Sequence, residues 1–153
     1  MAFEPAVWAD LVTEAESLVD AGRAAEAERL LRQLALADDQ SPTLTFLLGS
    51  AHAHHGDYGA AVCAYDEALD RNVRTGGRAR FEVEVRWARA HALLGQGRVE
   101  EAQTDLLLAA VGPDTDIAKQ AQALLTAVEL KAVARPATRA ARSELPTDRP
   151  AQR

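Results

Sequence analysis

The sequence predicts an all-α fold in which three helical hairpins stack side by side and a seventh helix closes the stack. One observation is composition: the chain of 153 residues is rich in Ala and Leu, 5% of it is aromatic, and Val and Ile are too scattered to suggest strands. The other is a short motif that recurs three times, a glycine followed by an alanine within an amphipathic run. A unit that repeats along a chain is typical of stacked architectures.

Each recurring glycine is predicted to be the turn of one hairpin, because glycine takes the positive φ of a helix-ending turn without steric cost. The three copies of the motif are AGRAAEA (21–27), HHGDYGAA (54–61) and QGRVEEA (96–102). Gly22 and Gly56 lie 34 residues apart, whereas Gly56 and Gly97 lie 41 apart. The link that contains RTGG (74–77) therefore holds seven extra residues.

Residues at matched distances from the three glycines have matched sizes. Small residues let paired helices approach closely, and larger residues at helical spacing fill the space between layers. The small positions are Ala27, Ala61 and Ala102 after the glycines and Ala15, Gly49 and Ala90 before them, and the larger positions are Leu31, Tyr65 and Leu106. This pattern predicts a packed helical core.

The middle copy has the strongest signal. Its sequence LGSAHAHHGDYGAAVCAYDEAL (48–69) has Leu-Gly, Gly-Asp-Tyr, Ala, Tyr and Ala in register with the repeat of the tetratricopeptide-repeat (TPR) family, which the chain resembles. The first copy departs from that repeat at Glu14 and Ala15, and the third at Arg89 and Ala90. The resemblance implies a right-handed α-solenoid of three TPR hairpins, at about 8–39, 42–73 and 80–113.

A seventh helix is predicted at about 114–133, where an apolar stripe follows helical spacing. Pro113 and Asp114 precede it, and Pro136 lies beyond its end. The stripe consists of Ile117, Ala121, Leu124, Leu125 and Val128. Because the last repeat of a stack needs its open face covered, we expect this segment to be a capping helix.

Three segments follow from these assignments. We expect an N-terminal arm at 1–7, a TPR domain at 8–134 and a disordered basic tail at 135–153, which is rich in Pro and Arg and poor in large apolar residues. From residue 134 onward, five Arg stand against Glu144 and Asp148, a balance of +3, so the rest of the chain carries −9 toward the formal total of −6. This acidic body argues against nucleic acid as a partner.

The sequence also bears on location. No apolar run approaches the roughly twenty residues of a membrane span, and residues 1–5 contain Glu4 and no basic residue, unlike a signal peptide. Cys63 is the single cysteine, so it cannot form an internal disulfide. We therefore expect a cytoplasmic protein without a membrane span.

Three histidines beside an aspartate, in HAHHGDYGAA (52–61), raise the question of a metal site. His52 and His55 could share a helix face, but they are at a predicted helix end, and His91 lies one repeat away. A closed metal site needs more ligands than these. We therefore interpret the stretch as packing and turn residues and expect no metal and no cofactor.

No pattern predicts catalysis. The serines and Cys63 lack a nucleophile elbow or a positioned histidine and acid. The link TGGR (75–78) lacks the Gly-Lys-Ser/Thr ending of a phosphate-binding loop and is predicted to be a flexible connection. Acidic residues such as Asp66 and Asp105 recur at helical spacing and are predicted to lie on solvated faces. We expect a protein that is not an enzyme and has no catalytic residue.

Function is instead expected on the concave side of the stack, which the first helix of each hairpin lines. Phe46 and Trp87 are the large aromatics there, and aromatic side chains in grooves often supply much of the binding energy; the alternative is that either ring packs inside the solenoid. The groove would suit a largely apolar segment with basic flanks that meet Glu16 and Glu84. The predicted groove residues are Val12, Glu16, Val19, Phe46, Ser50, Ala53, Trp87, His91 and Leu94.

One TPR function is disfavoured by the same positions. TPR domains that grip the C-terminal carboxylate of heat-shock chaperones use Lys, Asn and Arg side chains. The residues at the matching positions here are Val12, Glu16, Leu47, Glu84 and Ala88. Two carboxylates in place of cations or amides would repel that ligand.

Three repeats followed by one closing helix also resemble the class II chaperones of type III secretion. The matching runs are LTFLLGSAHAHHGDYGAAVCAY (44–65), RAHALLGQGRVEEAQTDLLLA (89–109) and ALLTAVELK (123–131). Those chaperones hold segments of secreted translocator proteins in the groove until export. The likeness implies a client site lined by Val12, Phe46, Trp87, His91 and Leu94.

Three functions remain open from the sequence. The first is an adaptor or scaffold that binds an extended or helical apolar segment of a partner protein in its concave groove. The second is a secretion chaperone that holds a translocator protein. The third is a small regulatory unit that binds a metal or cofactor through its histidines. A homodimer is also left open.

Overall fold

The computed structural model describes residues 3–134, and that range contains seven α-helices and no strand. The helices are α1 (Pro5–Asp20), α2 (Ala24–Ala35), α3 (Pro42–His54), α4 (Tyr58–Arg74), α5 (Ala79–Gly95), α6 (Val99–Ala110) and α7 (Thr115–Ala134). The predicted all-α solenoid of three hairpins and a capping helix is confirmed. The predicted disordered tail at 135–153 lies outside the described residues.

The helices form two layers, and the layers curve. Each helix packs against the next one along the chain, and α1, α3, α5 and α7 also contact one another in that order. Within residues 3–134, no comparable contact joins α2 to α4 or α4 to α6. Because the odd-numbered helices are close together and the even-numbered helices are apart, the odd-numbered helices line the concave side of the stack.

Each hairpin turns at the glycine that the motif predicts. Gly22, Gly56 and Gly97 have φ of +71°, +79° and +75°, a conformation that other residues rarely adopt. The N–H group after each glycine donates to a carbonyl in the preceding helix, and the pairs are Arg23 to Leu18 at 2.9 Å, Asp57 to His52 at 3.0 Å and Arg98 to Leu93 at 2.9 Å. These bonds satisfy carbonyl groups that the helix ends would otherwise leave free.

Side chains cap the start of three helices. The Ser41 hydroxyl accepts a hydrogen bond from the Leu44 N–H at the start of α3, where Pro42 takes the first helical position. Asp57 accepts from the Ala60 N–H at 3.1 Å at the start of α4. Asp114, before α7, accepts in the same way from the N–H groups of the first turn. These polar residues are N-caps, which fix the residue at which each helix begins.

Apolar side chains form two clusters. One joins the first hairpin to α3, and the other extends from α4 to α7. Phe46 packs against both clusters and so links the cluster of the first hairpin and α3 to the cluster of α4–α7. The predicted small positions are fully buried where they are alanine, namely Ala15, Ala27, Ala61, Ala90 and Ala102. Ala121 and Leu125 of α7 are buried on the last hairpin, as the capping role requires.

The seven extra residues lengthen two helices and form a closed turn. α4 and α5, between Gly56 and Gly97, each have 17 residues, whereas α2 and α3, between Gly22 and Gly56, have 12 and 13. Asn72, which is 2% exposed, donates through Nδ2 to the Arg78 carbonyl at 3.2 Å and accepts from the Arg78 N–H at 3.1 Å. The link at 75–78, predicted to be flexible, is a hydrogen-bonded turn that a buried amide side chain closes from the preceding helix.

Candidate functional site

Three predicted groove residues share one face of α5. Trp87, His91 and Leu94 are spaced by four and three residues, so their side chains lie one above the other along the helix. The His91 ring stands edge-on to Trp87, with ring centroids 4.4 Å apart and planes at 88°. Trp87 and Leu94 are half-buried and His91 is exposed. Loss of hydration lowers the pKa of His91, which favours the neutral imidazole on this apolar face.

The predicted groove residues of α3 lie closer to the core. The Phe46 ring is 5.8 Å from the Tyr65 ring and 5.7 Å from the Phe81 ring, between centroids. Ser50 accepts a hydrogen bond from the Tyr65 hydroxyl at 3.3 Å, and Ala53 is half-buried. Phe46 therefore packs inside the solenoid while part of its surface stays exposed. It combines the two alternatives that the sequence allows, core packing and exposure in the groove.

The predicted groove residues of α1 separate into two environments. Glu16 is exposed and Val12 is half-buried, so both can contact a bound molecule. Val19 is 4% exposed and belongs to the core of the first hairpin. It therefore offers a partner almost no surface.

A cleft of about 410 Å³ continues the α5 face toward the capping helix. We call it the α5–α7 cleft. Its lining residues are Leu94 of α5, Val99 of α6 and Leu124, Ala127, Val128 and Lys131 of α7. The sequence predicted α7 only as a cover, so the cleft was missed. The available signal was the spacing of Leu124, Val128 and Lys131, which places them on one helical face.

A buried charge network lies between α5 and α6. Asp105 is 1% exposed and accepts two hydrogen bonds from Arg89, both at 2.7 Å, and one from Arg86 at 3.2 Å. Arg89 also contacts Asp66 of α4. The hydrogen bond from Arg89 to Asp105 is the main reason that the pKa of Arg89 is raised. The prediction that Asp105 lies on a solvated face was wrong, because α5 covers it with two guanidinium groups.

The charged residues of the network stand where the preceding hairpin has apolar residues. Arg89 and Asp105 stand eight residues before and after Gly97, and the corresponding residues around Gly56 are Leu48 and Ala64. The departure of the third repeat at Arg89 is therefore compensated by Asp105 on the facing helix. Paired and fully hydrogen-bonded in this way, the charges are tolerated in the interior.

The histidines of the second repeat lie at a helix end. His52 and His54 belong to the last turn of α3, and His55 follows it directly. In residues 3–134 no group of three His, Cys, Asp or Glu side chains is close enough together to hold a metal ion. Cys63 is exposed with a free thiol. None of the helices within that range is both long and apolar enough to cross a bilayer.

Several solved structures share this architecture. The type III secretion translocator chaperone SycD of Yersinia enterocolitica is 20% identical, with 84% of this chain and 88% of that chain covered and a TM-score of 0.71. SycD in complex with a peptide of the translocator YopD is 20% identical, with 84% and 96% covered and a TM-score of 0.67. A T3SS complex from Aeromonas hydrophila is 22% identical, with 84% of each chain covered and a TM-score of 0.70. Likeness at this level of identity shows a shared fold.

Family models agree with the structural likeness. Two models match the chain, at residues 12–74 and 83–104, and both are described as tetratricopeptide repeat. Together they cover more than half of the chain. No curated protein sequence matches it significantly. With its hinge glycines, buried alanines and stacked hairpins, the chain belongs to the tetratricopeptide-repeat family.

Proposed function

We propose that this chain is a non-catalytic, cytoplasmic protein-interaction module that binds an extended or helical apolar segment of a partner protein in its concave groove. The observation that carries the proposal is the α5 face, where Trp87, His91 and Leu94 form a partly accessible surface that continues into the α5–α7 cleft. Partly desolvated aromatic side chains commonly supply a large share of the binding energy in such grooves. A neutral His91 lets this surface take up apolar groups without burying a charge.

The first hairpin adds a charge preference at the other end of the groove. Glu16 is exposed, and no ion pair involves it among the described residues. Glu84 is half-buried, and its carboxylate lies 4.0 Å from Arg80. A basic residue in the bound segment would therefore interact more favourably with Glu16 than with Glu84.

A binding experiment with Trp87→Ala tests this proposal. The partner is first identified by copurification from the native cell and mass spectrometry, and the segment it contributes is made as a synthetic peptide. We expect Trp87→Ala to weaken binding about 30-fold, which corresponds to about 2 kcal/mol for a central aromatic residue. Titration calorimetry measures the affinity, and circular dichroism checks that the helices persist.

The matched control is Leu107→Ala, which truncates an exposed apolar side chain of α6 on an even-numbered helix. The control should leave the affinity within about twofold of the unaltered protein, since surface residues away from an interface contribute little. Equal effects of the two substitutions would place the site away from the groove and contradict the proposal.

A second candidate function is that of a chaperone that holds a translocator protein of type III secretion before export. The specific support is the shared fold with SycD, including its complex with a peptide of the translocator YopD. The decisive test is the solubility of the identified partner in cells that lack this chain. Aggregation of a secreted partner would favour the chaperone, whereas a partner that stays soluble and is never exported would favour the adaptor.

A further inference from the structure

The α5–α7 cleft differs in chemistry from the rest of the groove. Its walls are aliphatic, formed by Leu94, Val99, Leu124 and Val128, and Lys131 is the single charged residue that lines it. The volume of about 410 Å³ accommodates a large aliphatic side chain together with part of the adjoining backbone. An aliphatic pocket with one ammonium group beside it favours an apolar group next to a negative charge.

Lys131 has no competing partner within residues 3–134. The ion pairs of that range do not involve it, and it is exposed on the last turns of α7. Its four-carbon stem can lie along the apolar wall while the ammonium group stays in water. The cation is therefore available to a carboxylate that arrives with a bound segment.

We propose that the α5–α7 cleft is a subsite for a large aliphatic side chain of the partner segment, and that Lys131 pairs with an acidic residue beside that side chain. The inference rests on the proposed function and adds the direction in which the partner segment lies in the groove. The partner segment would place an acidic group at the α7 end of the groove and any basic group near Glu16 at the α1 end.

The probe is a set of synthetic peptides obtained from a random 12-residue display library selected on the full chain. The best family of binders is synthesised with a fluorescent label, in its selected form and with its acidic residue changed to Lys. Fluorescence polarisation then gives the affinity of both peptides for the unaltered chain and for Lys131→Glu. We expect the acidic peptide to lose about fivefold to tenfold on Lys131→Glu and the lysine peptide to regain that amount, as expected for a reversed exposed charge pair.

Lys119→Glu is the matched control. Lys119 is the other lysine of α7, is exposed, and does not line the cleft. Both substitutions change the net charge equally, so long-range electrostatics affect them alike and only contact in the cleft distinguishes them. A second variant, Ala127→Phe, fills the cleft from an exposed position of α7 and should weaken peptides with a large aliphatic residue while sparing those with Ala in its place.

The outcomes separate this inference from the function on which it rests. Binders that depend on Trp87 but respond equally to Lys131→Glu and Lys119→Glu would overturn the subsite and leave the groove function standing. Failure to select any peptide, or binders whose affinity is unchanged by Trp87→Ala, would overturn both. If Ala127→Phe instead abolishes a dimer seen by light scattering and leaves peptide affinity unchanged, the cleft belongs to a second copy of the chain and the inference is wrong.

Discussion

The ring of Tyr65 occupies the space that a side chain at position 49 would need. A Cβ atom placed on Gly49 would lie 2.7 Å from Cε1 of Tyr65, far inside van der Waals contact. The Tyr65 hydroxyl donates to Ser50 at 3.3 Å, and burial raises the pKa of Tyr65. Hydrogen bonding and packing thus hold the Tyr65 ring against the backbone of Gly49. Because Gly49 has no side chain, α3 and α4 can lie close together.

Gly49→Ala should therefore destabilise the chain by about 1–3 kcal/mol, the usual cost of overpacking a core. Urea denaturation followed by circular dichroism measures the change. Gly59→Ala is the control, because its nearest neighbour would be at an ordinary contact distance of 3.4 Å and alanine favours a helix over glycine. If the two variants unfold at the same urea concentration, the close approach at Gly49 is not a determinant of stability.

The buried charge network predicts a strong asymmetry between single and paired substitutions. Asp105→Ala should cost about 3 kcal/mol, because it leaves two half-buried guanidinium groups paired only with the more exposed carboxylates of Asp66 and Glu82. Combining it with Arg89→Leu gives the third hairpin the residue types, Leu and Ala, that stand at the matching positions of the second hairpin. This should regain a large part of the loss, since Arg86 keeps its ion pair with Glu82. Denaturation curves of the three proteins provide the comparison.

Asp66→Ala is the control for the network. Asp66 also contacts Arg89, but its side chain is 55% exposed, so its loss should cost less than about 1 kcal/mol. A double variant as unstable as Asp105→Ala alone would mean that Asp105 matters for a reason other than its pairing with Arg89.

Asn72→Ala should open the turn between α4 and α5. The substitution removes both side-chain hydrogen bonds to Arg78 and should cost about 1–3 kcal/mol, since it leaves the Arg78 N–H without the partner that fixes the start of α5. Thermal melting measures the loss, with the exposed neighbour variant Val73→Ala expected to stay within about 0.5 kcal/mol. Equal melting temperatures for the two variants would show that Asn72 does not hold the turn.

His91 predicts a pH dependence of stability. Its pKa in the folded chain lies below the ordinary value of about 6.5, because neighbouring groups such as the Trp87 ring remove part of the hydration that stabilises the imidazolium, although the residue stays exposed. The unfolded chain therefore binds this proton at a higher pH than the folded chain does. The contribution of His91 to the free energy of unfolding is fully present above pH about 6.5, and it is lost as the pH falls through the pKa of the folded chain.

The measurement is the loss of stability between about pH 7.5 and about pH 5.5, a range that spans the imidazole titration. His91→Gln should lose less stability over that range than the unaltered chain, while the other histidines contribute equally to both. Identical losses would show that His91 is as hydrated in the folded chain as in the unfolded one.

Local sterics explain why so much of the fold was predictable. A glycine where a helix must end with positive φ, as at Gly56, or a small residue where two helices cross, as at Ala61, is a requirement set by atoms a few positions away. The same local spacing placed Trp87, His91 and Leu94 on one face of α5. Helical spacing also put Val19 on the groove side, but the fold leaves it 4% exposed, because the depth to which neighbouring helices cover a residue is not a local property.

Long-range pairing was decided by the tertiary structure alone. Asp105 meets Arg89 across 16 residues and Arg89 meets Asp66 across 23, and a charge at helical spacing looks the same in sequence whether water or another helix faces it. The α5–α7 cleft likewise exists only because α7 lies over the last hairpin at a particular angle. Backbone conformation and residue size are properties of short segments, whereas the environment of a charge and the shape of a hollow depend on where separate helices meet.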